Sequence, residues 1–263
     1  MLVIKNLYKT FNANTVNEKK AIEDLSLTIN DGDFITVIGG NGAGKSTLLN
    51  LISGALMSDS GSIKLNDKEI SNLKEHQRAS MIGRVFQDPM TGTCADLSIV
   101  ENFSLAARRG KGRTLRKGLT SSEKTKYQEY IKGLDLNLEN RLNAKVGLLS
   151  GGQRQALTLL MSTLVKPELL LLDEHTAALD PKTAAKVLEL TDELIKKDHL
   201  SALMITHNMR DALKYGNRLI MMSNGKIVLD LNAEEKSNLT VQDLLKMFEN
   251  ATGGEASDRM MLS

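Results

Sequence analysis

Cysteine is nearly missing: the 263-residue chain has one, Cys94. A single thiol cannot close an intrachain disulfide, and zinc modules built on several cysteines are excluded with it. Tryptophan is absent and aromatic residues make up 3% of the chain. Surfaces for stacking bases are therefore scarce, and nucleic acid is not an expected partner. No apolar run approaches the ~18 residues of a membrane span. The longest, 156–165, is stopped by Lys166-Pro167. The chain opens on Leu2-Val3-Ile4, a strand pattern rather than a charged-then-apolar signal, so a soluble cytosolic protein is expected. Charge of one sign is also lacking overall, with a formal net of +2. The exception is local. Arg108, Arg109, Lys111, Arg113, Arg116 and Lys117 put six positive charges into ten residues without an acid, which leaves the remainder net acidic. What is present is length and apolar content enough for one or two domains with a sizeable core.

Short apolar runs bounded by turn residues predict strands at 2–8, 25–29, 34–38, 62–65, 82–86, 169–172, 202–205, 218–222 and 226–229. Helical periodicity marks 48–52, 98–107 and 122–132. Asp180-Pro181 reads as an N-cap followed by proline at the first helical position. Ala184, Val187, Leu188, Leu194 and Ile195 then share one helical face. The segment of about 88–165 has a different texture and reads as a helical insertion into an α/β core. Residues 251–263, with Gly253-Gly254 and small polar residues, read as a mobile tail.

The run Gly39-Gly40-Asn41-Gly42-Ala43-Gly44-Lys45-Ser46-Thr47 lies between an apolar strand and a helix. This is the phosphate-binding pattern, in which glycines let backbone N–H groups turn inward around phosphate oxygens. The helix that follows offers its free N–H groups and positive dipole end. Lys45 is placed to reach the β- and γ-phosphates, and the Ser46 hydroxyl to ligate Mg²⁺. The plain alternative is a glycine-rich turn. The run Leu169-Leu170-Leu171-Leu172-Asp173-Glu174 is a buried strand ending in two acids. Ligand chemistry gathers at the carboxyl ends of parallel strands. Asp173 is thus expected to hold Mg²⁺ through water, and Glu174 to polarise an attacking water. Two solvated strand-end acids are the alternative.

With Leu149-Ser150-Gly151-Gly152-Gln153 lying between those two motifs, the sequence resembles the ATP-binding subunits of ABC transporters over about residues 2–230. The resemblance implies a P-loop ATPase core with a mixed sheet, an N-terminal antiparallel β subdomain and an inserted helical subdomain. The expected layout is one domain over 1–250, with a core of 1–87 and 166–250. It implies ATP and Mg²⁺ as cofactors, and a head-to-tail dimer in which Ser150, Gly151, Gly152 and Gln153 of one chain meet the ATP of the other. Gln87 resembles the glutamine that touches Mg²⁺ and the attacking water, and His207 the γ-phosphate-sensing histidine. Asp180 falls in the loop that communicates between subunits, where it can also cap its helix. Phe11 matches the aromatic that stacks on adenine; Tyr8 matches less well.

The chain departs from the family pattern in places. Arg154-Gln155-Ala156 replaces the usual Gln-Gln-Arg run, and His175 stands where proline often follows the catalytic acid. His175 reads as a backbone-fixing or solvated residue, with modulation of the water site as the other option. Residues 143–148 lack the Gly-Glu-Arg-Gly run of exporters with fused membrane domains. That favours an importer-type subunit on the cytoplasmic membrane face, peripheral to separate permease subunits and served by a solute-binding protein. The run 173–180 resembles ATPases of amino-acid-type importers. The basic run falls in the insert, where it would touch lipid headgroups, touch an acidic partner, or stay solvated. A soluble ABC ATPase without membrane partner, such as an iron–sulfur assembly factor, is the alternative function.

Overall fold

A computed structural model describes residues 1–112 and 118–252. The first elements are β1 (Leu2–Phe11), β2 (Lys19–Ile29), β3 (Phe34–Gly39), α1 (Lys45–Ser53), β4 (Ser60–Leu65), β5 (Lys68–Glu69) and α2 (Glu75–Arg78). Then come β6 (Ile82–Val85), α3 (Ile99–Ala106), α4 (Ser121–Lys132), α5 (Gly151–Thr163), β7 (Leu169–Asp173) and α6 (Pro181–Asp198). The last are β8 (Ala202–Ile205), α7 (Met209–Lys214), β9 (Arg218–Ser223), β10 (Lys226–Leu231), α8 (Ala233–Ser237) and α9 (Val241–Thr252). The chain forms two compact units, one of Met1–Arg78 with the chain from His199 onward, the other of Ala79–Asp198.

The first unit holds an antiparallel sheet in the order β2-β1-β4-β5. It also holds a mixed sheet segment, in which β10 pairs antiparallel with β9 while β9, β3 and β8 run parallel. This is the expected α/β class with its antiparallel β layer. β2 begins at Lys19, well before the expected 25. The reason is visible in the backbone. Asn6 and Asp24 take left-handed φ of 44° and 52°, and the β1–β2 register shifts between Ile4 and Leu7 and again after Leu7. Such bulges break the two-residue alternation from which a strand is read. β3 is buried along its whole length. Ile38 joins Met209, Ala212, Leu219, Met221, Leu231, Leu244 and Phe248 in a core that seats α7 and α9. Each of these side chains larger than alanine contributes about 1.5–3 kcal/mol on burial.

Two buried cations in this unit carry no sequence signal. Arg78 is 1% exposed. It donates to the carbonyls of Leu51 and Ile52 at 2.7 and 2.9 Å, and to those of Leu73 and Ser71. It thus satisfies the last carbonyls of α1, where the helix dipole favours a cation. Lys236 is buried and donates to the carbonyls of Tyr215 and Gly216. Burial pushes its pKa down to about 8. Between that value and the ordinary one of 10.5, the unfolded chain binds more protons than the folded one. The contribution of Lys236 to stability therefore rises with pH across that window. Urea unfolding from pH 8 to 10.5 should show the parent chain gaining stability relative to Lys236→Met as pH rises.

The second unit holds the parallel pair β6–β7, with Val85 opposite Leu172, and the helices α3 to α6. Its core includes Phe103, Ile131, Leu138, Val146, Leu157 and Leu160. α3 and α4 start on Ser98 and Thr120, each closing a capping box with Glu101 or Glu123. On α6, Val187, Leu188 and Ile195 are buried, while Ala184 and Leu194 are half-buried. Of the basic run, Arg109 donates to the carbonyls of Ser162 and Val165 just at the end of α5. Arg108 reaches Ser104 and lies 3.8 Å from Glu123. Arg113, Arg116 and Lys117 lie outside the described residues, as does the expected tail beyond Thr252. Among the described residues no helix is long and apolar enough to cross a membrane.

Candidate functional site

In the first unit the phosphate loop follows β3. Gly39 closes the strand with φ of 156°, and a Cβ there would stand 2.3 Å from the Met222 carbonyl oxygen. Gly44 caps α1 with φ of 101°, and a Cβ there would stand 2.5 Å from the Ala21 carbonyl oxygen. Neither position admits a side chain, so the backbone itself walls the loop. The loop curls over Lys45, whose Nζ donates to the carbonyls of Gly39 at 2.7 Å and Gly40 at 3.1 Å. α1 begins on Gly44 without a side-chain cap, so no side chain competes for its first N–H groups, the donors that phosphate oxygens take. Asn41, Gly42 and Ser46 are exposed, Gly40 and Thr47 half-buried, and Ala43 buried. A glycine-walled ring of this kind fits a polyphosphate.

β8 lies parallel to β3, with Ile205 opposite Val37 and the Thr206 N–H donating to the Val37 carbonyl. His207 therefore leaves β8 at the same end of the sheet as the phosphate loop, and it is exposed. Asn208 caps α7 directly after it. Phe11 ends β1 half-buried, with Lys9 Nζ 5.9 Å from its ring centre. Tyr8 is 38% exposed.

The second unit carries the other group of predicted residues. Because β6 and β7 are parallel, Gln87 and the acids Asp173 and Glu174 emerge at the same end of the pair. Gln87 is exposed. Glu174 sits at φ of 46°. A non-glycine residue there costs of order 1–3 kcal/mol and is held by its surroundings. Beside it His175 is 2% exposed and meets Thr191 Oγ1 through Nε2 at 3.0 Å. The Thr191 hydroxyl donates its proton to the Val187 carbonyl at 2.7 Å, so Nε2 of His175 must be the donor in their bond. Burial lowers the imidazole pKa to about 4, so it is neutral near pH 7. Of the roles expected for His175, the solvated one is corrected. The ring anchors the turn after the strand to α6.

Ser150 is the N-cap of α5, and Gln153 closes a capping box with it, the two reciprocal bonds measuring 3.3 and 3.2 Å. The order Ser-Gly-Gly-Gln is thus also a helix start. Ser150 and Gly151 are exposed and Gly152 is buried against α6, where a Cβ would meet Thr183 Cγ2 at 2.0 Å. Asp180 caps α6, accepting from the Thr183 N–H at 3.1 Å. The Thr183 hydrogen bonds hold its carboxyl below the usual range. The unusual Arg154 is buried and donates to the carbonyls of Val146, Gly147 and Leu149. It therefore braces the turn that presents Ser150. Gln155 donates from Nε2 to the Phe86 carbonyl at 3.1 Å, which ties α5 to the residue before Gln87.

Among the described residues no three His, Cys, Asp or Glu side chains gather as a metal cage. The candidate donors Ser46, Gln87 and Asp173 supply oxygen atoms of the kind Mg²⁺ uses with water and phosphate rather than an all-protein cage.

Residues 22–177 match the ABC transporter family. The chain is 51% identical over 253 residues to the tyrosine transport ATP-binding protein of Clostridioides difficile (strain R20291), covering 95% of this chain and 100% of that protein. It is 34% identical over 252 residues, 94% of each, to the xylose/arabinose import ATP-binding protein XylG of Sulfolobus acidocaldarius. A solved dimeric ATP-binding cassette in a post-hydrolysis state with ADP and Pi has a TM-score of 0.76 and 27% identity, with 89% of this chain and 99% of that one covered. The chain belongs to the ABC transporter family. Within it the chain is an ATP-binding cassette that hydrolyses ATP.

Proposed function

We propose that this cassette works as a head-to-tail pair closing on two ATP molecules and powers import of an amino acid through separate membrane subunits. Gly39 to Thr47 hold the phosphates, with Lys45 as their point charge, and Phe11 stacks on adenine. Ser46, Gln87 and Asp173 hold Mg²⁺, which neutralises phosphate charge when bound. Glu174 takes a proton from the attacking water, and His207 contacts the γ-phosphate. Ser150, Gly151, Gly152 and Gln153 meet the ATP of the second copy, Ser150 and Gly152 at its γ-phosphate, and Asp180 couples the two copies. Nucleotide then shifts the equilibrium toward the closed pair because it binds that state better, and hydrolysis removes the difference. The dimeric relative with ADP and Pi supports the pairing.

The observation that carries the substrate class is the 51% identity over the whole length of a tyrosine transport ATP-binding protein. The sugar-import relative at 34% fits a scheme in which the membrane and solute-binding subunits choose the solute. The working place is the cytoplasmic face of the membrane. Capture of tagged Glu174→Gln with ATP and Mg²⁺ from detergent-solubilised membranes tests this. The expected catch is a multi-span membrane protein whose reconstituted complex with the parent cassette is stimulated by a loaded amino-acid-binding protein, and not by a sugar-binding one. A catch of soluble scaffold proteins only, with none of the cassette on washed membranes, favours the soluble ATPase instead.

A further inference from the structure

Arg84, in the middle of β6, donates from its guanidinium to Asp173 Oδ2 at 3.0 Å. The two side chains are 12% and 14% exposed. The guanidinium carbon also lies 4.6 Å from the centre of the Phe86 ring, a cation–π distance. The Phe86 carbonyl in turn accepts from Gln155 on α5. Arg84 is therefore a placed cation, held on one side by an aromatic face and on the other by the first of the two strand-end acids. Arginine suits such a site because its guanidinium is weakly hydrated and stays charged.

We propose that Arg84 is a positioning residue of the acidic strand end, a built-in counter-cation that holds Asp173 and opposes a divalent metal at the same carboxylate. This deepens the reading of Asp173 as a metal-holding acid and rests on it. The physical reason is Coulombic. A carboxylate paired to a fixed positive charge in a poorly hydrated place offers less attraction to a second cation, and the two cations repel each other. Arg84 thereby limits how far Mg²⁺ strengthens ATP binding, and it keeps Asp173 from standing as an uncompensated charge when no metal is there.

The test uses the full chain in a Glu174→Gln background, which keeps ATP intact. The ATP dissociation constant is measured with Mg²⁺ and with EDTA, and the ratio of the two is the metal's contribution. Arg84→Gln should raise that contribution about threefold or more. Arg84→Met, which keeps the apolar stem on Phe86, should shift it the same way, and Arg84→Lys should stay near the parent value. A thermal melt identifies any variant that fails to fold, and either charge-removing variant suffices. In an Asp173→Asn background the contribution should fall, and Arg84→Gln should then raise it by less than it does beside the intact carboxylate, because only the direct repulsion between the two cations is left to remove. A contribution that is unchanged or smaller on removing the Arg84 charge, while Asp173→Asn still lowers it, overturns the Arg84 inference alone. A contribution untouched by Asp173→Asn overturns the metal reading of Asp173 and the Arg84 inference with it.

Discussion

Glu174→Gln is expected to cut ATP turnover about 10²- to 10⁴-fold, the range lost with a general base, while ATP binding persists. The amide matches the carboxylate in size, so it does not add a clash at a residue already held at φ of 46°. The turn stays anchored by the His175–Thr191 bond one residue on. What disappears is the proton acceptor. Without hydrolysis the closed pair has no exit, so the variant should sediment as a dimer with ATP and Mg²⁺ and as a monomer without them. A Glu174→Gln chain that binds ATP yet stays monomeric at saturating ATP and Mg²⁺ overturns closure by the cassette alone. Retained turnover overturns the role of Glu174 itself.

The second large effect is at Lys45. Its amine makes two hydrogen bonds to carbonyls inside the loop, so Lys45→Ala removes both a loop-shaping contact and a phosphate charge. With charge-assisted bonds worth about 1.5–3 kcal/mol, ATP affinity should fall roughly tenfold to more than a hundredfold. Calorimetry or a fluorescent ATP analogue reads this directly, and an unchanged affinity would remove the phosphate-loop assignment. The same variant tests whether each centre is shared between copies. Ser150→Asp keeps an N-cap on α5 but sets a carboxylate against the partner's γ-phosphate. Neither variant should turn over alone. Mixed in equal amounts, half of the random pairs combine the two chains, and each such pair has one intact centre. About a quarter of parent turnover should return for such a two-fold pair. No recovery, with a parent that hydrolyses ATP as single chains, would end the shared-centre reading.

The chemistry-bearing motifs were legible because each is local. A phosphate loop needs consecutive backbone N–H groups, so its glycines and Lys45 must be neighbours in the chain. Ser150 and Gln153 are also a capping box, so their spacing is set by one helical turn. Asp180 is legible for the same reason, as an acid ahead of Pro181. β2 is longer than its alternation suggests because bulges at Asn6 and Asp24 interrupt the pattern. The tiny β5 and the short helices α2, α7 and α8 fell below any periodic signal.

What the amino-acid order determined by itself was the family, the order of the motifs, the apolar strands that carry them and the local caps. Only the tertiary structure decided where the unusual charges go. Arg78 ends on the last carbonyls of α1, Arg109 on carbonyls at the end of α5, Arg154 under the turn before Ser150, and Arg84 on Asp173. An isolated arginine in a sequence looks like a solvated one. Its burial depends on which carbonyls or carboxylates distant segments leave unsatisfied, and that is known only once those segments have packed.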